Sequence, residues 1–261
     1  MKSLLLALGA ALCCFAQLPA PNEAGVACGH IHLYVSNLEA QRKFWVDGLG
    51  ATTTKLGRME VMKFPDVLLL LNQSEPRAGS EGSAVGHIGF RVRSMREYMA
   101  RWKAAGISIK GTPAPDAKQV FLDAPDGILV EVSEDASLTV PIANHHFHFF
   151  GQPAAAQAWY VKMFGAKAGK QAGKRGKFDA ADLPGVNLTF SPAEGSVAPT
   201  KGRALDHIGF EVKDLEAFCK KLEASGVKFD IPYRKNPTLG LAFLTDPWGT
   251  YIELTEGLNR L

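Results

Sequence analysis

The sequence has few of the features that mark fibrous, disordered or multi-span membrane proteins. Charged residues make up 21% of its 261 residues and hydrophobic residues 46%, which is typical of a globular chain. Its N-terminal apolar run is too short to span a bilayer comfortably. The net charge is +3 and the only basic stretch that stands out, 170–177, is rich in Gly, so nucleic-acid binding is not favoured. We therefore expect a globular protein with no nucleic-acid partner and no membrane span in its mature chain.

Cysteine is scarce as well. Two of the four cysteines lie in the N-terminal apolar run, which leaves Cys28 and Cys219 in the rest of the chain. Two cysteines in so long a chain do not form a disulfide scaffold, and we interpret both as buried thiols, with a bond between them as the alternative. The length exceeds what one hydrophobic core usually organises, about 250 residues, and so predicts two domains.

The N-terminus has the pattern of a secretory signal peptide. A positive charge precedes an apolar stretch over 4–16, and a Pro-rich break follows it. We predict that residues 1–17 form this signal, with cleavage after Ala16. A lipid anchor on Cys13 or Cys14 is the alternative, although the large residue before Cys13 disfavours it. The mature protein is accordingly expected in the periplasm or secreted.

The remaining chain contains an internal repeat. Residues 87–92 (HIGFRV) and 207–212 (HIGFEV) are nearly identical, and 30–35 (HIHLYV) and 145–150 (HHFHFF) resemble each other. Each begins a unit of about fifty residues that continues with a helix and further strands. Segments with the two-residue period of strands alternate with segments that have the 3.6-residue period of helices, which predicts an α+β fold. The four units start near Gly29, Gly86, Asn144 and Asp206.

Local signals set the boundaries within these units. Capping residues predict helices that start at Ser36, Ser94 and Asp214. A short linker with a Pro separates a first domain, 28–135, from a second, 144–256. We expect the first unit to pair with the second and the third with the fourth; the alternative pairs the first with the fourth and the second with the third.

Histidine is distributed in a way that core packing does not explain. All seven histidines lie in the first strand of a unit, and one recurs at the same register in every unit when Gly50 is aligned with Gly165. Side chains alternate across a strand, so His32 shares the face of His30, while two others are expected to point away and pack. The recurrent residues are His30, His87, His145 and His207, and the two expected to point away are His146 and His148.

A carboxylate follows in the last strand of each even-numbered unit. Glu131 and Glu253 stand in apolar strands, where a charge is costly unless it is paired or binds a metal. Two imidazoles and one carboxylate with open positions suit Fe(II), Mn(II) or Zn(II). Under the expected pairing, the two sets of metal ligands are His30, His87 and Glu131, and His145, His207 and Glu253.

These residues and motifs resemble the vicinal oxygen chelate superfamily, which includes glyoxalase I, extradiol dioxygenases and bleomycin-resistance proteins. The resemblance covers nearly all of 28–256, twice over, and is most specific at GHIGFRV, PDGILVEV, DHIGFEV and DPWGTYIEL. It implies four βαβββ modules that form two cup-shaped mixed sheets, each around a divalent metal. It also implies ligands from the first strand of one unit and from the first and last strands of the other.

Two departures from the resemblance narrow the expected chemistry. Glyoxalase I has a further Glu ligand late in its odd-numbered unit, where this sequence has Leu69 and Leu188. Extradiol dioxygenases have a Tyr before the turn that precedes the last strand, where this sequence has Phe121 and Phe243. Glutathione-dependent glyoxalase activity and ordinary catechol cleavage are both disfavoured.

The resemblance leaves two classes of function. The first is a metal-dependent enzyme that acts on a small oxygen-rich molecule, with His32 and Tyr251 as candidate catalytic residues. The second is a metal-free protein that sequesters a small molecule, as bleomycin-resistance proteins do. The repeated ligand-type residues favour the first, because a sequestering pocket has no need of them. We expect a monomer or a homodimer.

Overall fold

The computed structural model describes residues 18–173 and 176–261, so the predicted signal peptide lies outside the described residues. The described residues form an α+β fold, as predicted. Its four α-helices are α1 (Leu38–Arg42), α2 (Met95–Ala105), α3 (Pro153–Phe164) and α4 (Leu215–Ala224). Its strands are β1 (Val26–Val35), β2 (Thr52–Leu56), β3 (Met59–Phe64), β4 (Val67–Gln73), β5 (Val85–Val92), β6 (Gln119–Ala124), β7 (Ile128–Glu134), β8 (Ile142–Gly151), β9 (Lys167–Gly173), β10 (Gly176–Leu183), β11 (Val186–Pro192), β12 (Leu205–Val212), β13 (Phe229–Lys235), β14 (Gly240–Thr245) and β15 (Tyr251–Glu256).

The strands form two mixed sheets, and the predicted pairing of units is wrong. One sheet has the order β13-β14-β15-β12-β1-β4-β3-β2, which joins the first unit to the fourth. The other has the order β6-β7-β5-β8-β11-β10-β9, which joins the second to the third. The linker between β7 and β8 is short and returns the chain to the sheet it has just left. We call the concave face of the first sheet the first cup and that of the other sheet the second cup.

The four units are variations on one pattern. Three of them have a first strand, a helix and three further strands, as the resemblance implies. In the second unit an isolated bridge between Ile109 and Leu122 takes the place of one strand. Alternation along each first strand separates two faces, because Ile31 and Leu33 join the large core while His30 and His32 face the cup.

The predicted helix starts are right in two cases of three. Ser94 and Asp214 are N-caps whose side chains accept hydrogen bonds from the backbone N–H of Glu97 and Ala217. At α1 the cap is Asn37, one residue later than predicted. Ser36 instead has its hydroxyl hydrogen-bonded to Asp126, so that side chain ties the start of the helix to the neighbouring unit.

Two other expectations concern the cysteines and membrane-spanning helices. Cys28 and Cys219 are free and buried, as interpreted from the sequence. Within the described ranges, none of the helices is long and apolar enough to cross a membrane.

Candidate metal centres

In the first cup, two histidines converge on one carboxylate oxygen. His30 Nε2 lies 2.8 Å and His207 Nε2 lies 3.0 Å from Glu253 Oε2. The three side chains come from adjacent strands, because β1 pairs with β12 and β12 with β15. His32 completes the group, and one donor atom from each of the four residues lies within 4.8 Å of the others. A single ion could therefore be held by these side chains.

The charges of this cluster depend on one another. Burial raises the pKa of Glu253, but the charges of His30 and His207 and the hydrogen bonds from them outweigh burial, and the net pKa lies well below its usual range. Burial lowers the pKa of His207, but its hydrogen bonds to Asp206 and Glu253 outweigh that effect and raise it. The cluster therefore favours an ionised Glu253 and stabilises a proton on His207, which lies between two carboxyl groups.

Asp206 orients one of these histidines. His207 Nδ1 donates a hydrogen bond to Asp206 Oδ2 at 2.6 Å, and both side chains are buried. The Nδ1 proton is thereby fixed, and Nε2 is directed toward Glu253. A carboxylate that holds the far nitrogen of a ligating imidazole is a recurrent arrangement in metal sites. The second unit has Gly86 at the corresponding position, so the second cup has no such carboxylate there.

The second cup repeats the cluster with different spacing. His87 Nε2 lies 3.2 Å from both His146 Nε2 and Glu131 Oε2, and His146 Nε2 lies 3.8 Å from the same oxygen. The other oxygen of Glu131 accepts a hydrogen bond of 2.6 Å from Gln119 Nε2. Burial raises the pKa of Glu131, but the hydrogen bond and charge of His87 and the hydrogen bond from Gln119 outweigh it and lower the pKa.

The structure therefore places His146, and not the predicted His145, beside His87. His146 pairs with Gly89 and Asn144 with Phe90, so His145 is the extra residue of a β-bulge. The first cup has the same bulge at Gly29, because Cys28 pairs with Phe210 and His30 with Gly209. His146 is consequently the counterpart of His30, and His145 is the counterpart of Gly29.

A π-helical segment explains why the alignment slipped by one residue. After α1, residues Lys43–Gly48 form a π-helix, which contains one more residue per turn than an α-helix. The matching helix α3 is α-helical throughout. Aligning Gly50 with Gly165, beyond these helices, therefore shifts the preceding strands by one position. His146 and His148 were predicted to point away from the cup, and both face it.

Two glycines leave room for the imidazoles. A Cβ atom at Gly209 would lie 2.0 Å from the ring of His30, and one at Gly89 would lie 2.2 Å from the ring of His146. Both glycines stand in the repeated HIGF motif, two residues after the even-unit histidine. This shared contact agrees with His146 as the counterpart of His30. The sequence signal that the interpretation missed is the spacing His-x-His, which residues 30–32 and 146–148 share.

His32 and His148 are equivalent residues in different surroundings. Neither ring nitrogen of His32 has a hydrogen-bond partner among the described residues, whereas His148 Nε2 is 2.7 Å from Ser191 Oγ. Burial and the nearby histidines lower the pKa of His32 to about 3, and burial lowers that of His148 to about 3. Both imidazoles are therefore neutral at physiological pH.

The sequence comparison placed the additional glyoxalase ligand at Leu69 and Leu188, and the structure corrects these positions. Leu69 pairs with Ile31, and Leu188 with Phe147, so both leucines lie on the core face. The neighbours of the cup-facing histidines are apolar in the first cup and polar in the second. These neighbours are Leu68 and Leu70, and Asn187 and Thr189. None of the four is a carboxylate, so the absence of that ligand still holds.

Aromatic residues line the even-unit side of both clusters. Phe121 lies edge-on to His87, and Phe243 lies edge-on to His207, as their matched positions in the repeat imply. Tyr251 stacks on Phe243 and presents its ring to His207 at 5.6 Å between centroids. Burial raises the pKa of Tyr251 to about 12, so its phenol keeps its proton at neutral pH.

A C-terminal segment covers part of the first cup. Leu258 is buried against Val61, Leu68 and Leu70. Glu211, which faces this cup, accepts a hydrogen bond of 2.7 Å from the backbone N–H of Gly257. The carboxylate thus anchors the segment, and the odd-unit half of the first cup is filled by apolar side chains.

Comparison with known proteins agrees with this architecture. The profile of the Glyoxalase/Bleomycin resistance protein/Dioxygenase superfamily matches residues 27–132 and 142–254. The chain belongs to this superfamily. Each match spans one of the two tandem repeats, and superfamily membership brings the expectation of a small-molecule ligand and of a metal. A comparison with curated proteins found no match.

Solved structures of superfamily members share the fold at low sequence identity. Glyoxalase I from Zea mays is 16% identical, covers 90% of this chain and 94% of its own, and superimposes with a TM-score of 0.70. A mutant of that enzyme gives 18% identity, the same coverages and a TM-score of 0.72. A putative dioxygenase from Bacillus subtilis gives 15% identity, coverages of 93% and 88%, and a TM-score of 0.69. At these identities the likeness shows the fold alone.

Proposed function

We propose that the protein is a divalent-metal-dependent enzyme that acts on a small organic molecule with neighbouring oxygens. The observation that carries the proposal is the convergence of His30 and His207 on one oxygen of Glu253, in a buried site with unpartnered imidazole nitrogens. Buried polar atoms without partners are rare in proteins, and a bound metal would satisfy one nitrogen of each imidazole that it binds. The residues present therefore fit the metal that the superfamily implies.

Each cup would hold its ion with side chains from two different units. The ligand types, imidazole and carboxylate, suit Fe(II), Mn(II) or Zn(II). When bound, such an ion supplies Lewis acidity toward substrate oxygens at its open positions. The ligand set that supports this in the first cup is His30, His207 and Glu253. In the second cup the set is His87, His146 and Glu131, whose Oε2 lies 3.2 and 3.8 Å from the two Nε2 atoms, and a donor atom of His148 lies within 4.8 Å of those of both histidines.

Tyr251 supports the chemistry of the first cup as a hydrogen-bond donor. Its pKa of about 12 keeps the phenol protonated, and its ring is fixed between Phe243 and Lys201, whose Nζ lies 4.2 Å from the ring centroid. A protonated phenol beside the cluster can donate to an oxygen that gains negative charge. Phe121 in the second cup and Phe243 in the first have no acidic proton. Each places an apolar ring against the even-unit histidine of its cluster.

The second cup is the better place for an oxygen-rich substrate. Asn187 and Thr189 offer polar groups beside its histidines, whereas the first cup has Leu68 and Leu70 at matching positions. Polar lining groups fix the orientation of a small ligand through hydrogen bonds. We therefore expect the second cup to orient an oxygen-rich substrate more closely than the first.

The enzymatic proposal is tested by assaying the metal-loaded protein on candidates that carry neighbouring oxygens. The panel consists of 2-hydroxyketones, 2-oxoacids, catechols under air, and methylglyoxal with glutathione. We expect metal-dependent turnover within the first two classes and none above about 1 s⁻¹, the low end for ordinary enzymes, within the last two. A protein that binds no metal but retains a panel compound would instead be a sequestering protein of the bleomycin-resistance type.

We also propose that the protein is exported. The charged start and short apolar run of 1–17 support this proposal. N-terminal sequencing of protein from the periplasm or medium should begin near residue 17. Material in those fractions that begins at Met1 would contradict it.

A further inference from the structure

His32 has no task in a centre that consists of two histidines and one glutamate. It lies two residues after His30 on the same face of β1, and its ring centroid is 4.5 Å from that of His207. Its nearest donor nitrogen lies within 4.8 Å of the donor atoms of His30, His207 and Glu253. This spacing places His32 within reach of the ion that the other three would bind.

The surroundings of His32 provide no other partner. The side chain is 9% exposed, and both ring nitrogens are without hydrogen bonds among the described residues. Its neighbour on β4 is Leu70, which has no polar group, and its neighbour on β12 is His207, whose two ring nitrogens are engaged by Asp206 and Glu253. Leaving a buried polar group unsatisfied is costly, so an imidazole kept in this position requires a ligand that it can bind.

The second cup shows what a satisfied counterpart looks like. His148 has the same register, but its Nε2 is engaged by Ser191 Oγ at 2.7 Å. The residue that corresponds to Ser191 in the first sheet is Asn72, which pairs with Tyr34 in register and is exposed. The two cups therefore differ in whether the additional histidine is already engaged by the protein.

The position of His32 suits a metal ligand. His30 Nε2 and His207 Nε2 both point to Glu253 Oε2, and a donor atom of His32 lies within 4.8 Å of all three groups. An ion held at that oxygen would therefore lie beside His32 as well, and coordination would replace the catalytic role expected for His32 from the sequence.

We propose that His32 is a fourth protein ligand, so that the first cup binds its ion through three imidazoles and one carboxylate. The second cup then binds through two imidazoles and one carboxylate, with His148 held by Ser191. His30, His32, His207 and Glu253 would then hold the ion together, and an ion that accepts further ligands would supply Lewis acidity toward the oxygens of a small molecule. The proposal rests on the proposed function, because it assumes that the first cup binds a metal.

The test uses the full mature chain with one cup disabled at a time. His87→Ala combined with Glu131→Ala leaves the first cup, and His207→Ala combined with Glu253→Ala leaves the second, because removing the glutamate alone would leave three histidines in either cup. His32→Gln is added to the former and His148→Gln to the latter as the matched control. Zn(II) affinity is measured by competition with a chelator, the visible spectrum of the Co(II) form reports the ligand set, and circular dichroism checks folding.

We expect His32→Gln to weaken Zn(II) binding at the first cup by about 100-fold or more, since altering even outer-shell groups costs about 10- to 100-fold. The Co(II) spectrum should change with it. His148→Gln should alter the second cup by less than about threefold. If His32→Gln does not fold, His32→Asn takes its place, because it also removes the imidazole.

The outcomes separate this inference from the proposed function. Unchanged affinity and an unchanged Co(II) spectrum in the His32 variant, with a first cup that still binds metal, would overturn the inference and leave the proposed function intact. Equal losses in the His32 and His148 variants would overturn the difference between the cups. Absence of Zn(II) binding in the wild type would overturn both.

Discussion

Asp206 offers the sharpest single-residue test of how the first cup prepares a metal ligand. Replacing Asp206 with Asn removes the carboxylate that accepts the 2.6 Å hydrogen bond from His207 Nδ1 while keeping the size of the side chain. The other oxygen of Asp206 accepts a hydrogen bond from the backbone N–H of Gly202, so the single carbonyl oxygen of an uncharged amide can serve only one of the two donors. His207 is then free to rotate or to change tautomer, and its Nε2 is no longer directed toward Glu253.

The expected magnitude follows from the type of contact. Loss of an outer-shell carboxylate weakens metal affinity by about 10- to 100-fold, or about 1.4 to 2.8 kcal/mol of binding free energy. The hydrogen bond is buried and charge-assisted, so the free energy of unfolding of the metal-free protein should also fall, by about 1.5 to 3 kcal/mol. The two losses are measured separately, by chelator competition and by denaturant titration.

The second cup is the internal control for this experiment, because Gly86 stands where the first cup has Asp206. Asp206→Asn in the His87→Ala/Glu131→Ala background should show the loss of Zn(II) affinity. The same substitution in the His207→Ala/Glu253→Ala background should leave the affinity of the second cup unchanged. An unaltered first cup, or an equal loss in both cups, would show that the carboxylate does not position His207.

Three further predictions concern the corrected register, the glycines behind the histidines and the response to pH. His146→Ala should abolish Zn(II) binding at the second cup while His145→Ala reduces it less than tenfold, as judged by chelator competition; the reverse order would refute the assigned bulge. Gly209→Ala should disable the first cup, because its Cβ would lie 2.0 Å from the neighbouring imidazole; a crystal structure with that ring unmoved would contradict this. Since burial lowers the pKa values of His32 and His148 to about 3, the unfolded state binds more protons below about pH 6.5. The free energy of unfolding of the metal-free protein should therefore fall as the pH is lowered from about 6.5 toward 3, by up to about 1.4 kcal/mol per pH unit for each histidine. It should fall less steeply in a variant with Gln at both positions. Denaturant titrations that give the same pH dependence for the two proteins would contradict this prediction.

The repeat in the sequence was enough to predict the fold class, because each unit shows its strands and helix through local periodicity. Ser94 and Asp214 cap their helices as predicted, since an N-cap depends on a few neighbouring residues. The pairing of units could not be predicted in the same way. All four first strands have similar patterns, and which of them meet depends on contacts between distant parts of the chain.

The candidate site was predicted to the level of residue type and missed in register. His30, His207 and Glu253 lie together, but in a combination that only the pairing of first and fourth units permits. His145 was predicted in place of His146 because one extra residue in the π-helical segment shifts the alignment by one position. The β-bulge at His145 also interrupts the alternation of faces along β8, so alternation alone could not correct the assignment. Neither irregularity has a signature in hydrophobic periodicity.

Metal content is the measurement that tests the central claim most directly. The mature wild-type protein, the His87→Ala/Glu131→Ala variant, the His207→Ala/Glu253→Ala variant and the variant that combines all four substitutions are purified, loaded with Zn(II), desalted and analysed by elemental mass spectrometry. The account predicts that the wild type retains metal, that each of the first two variants retains only the metal of its intact cup, and that the combined variant retains none. Undiminished metal in a folded combined variant would contradict it.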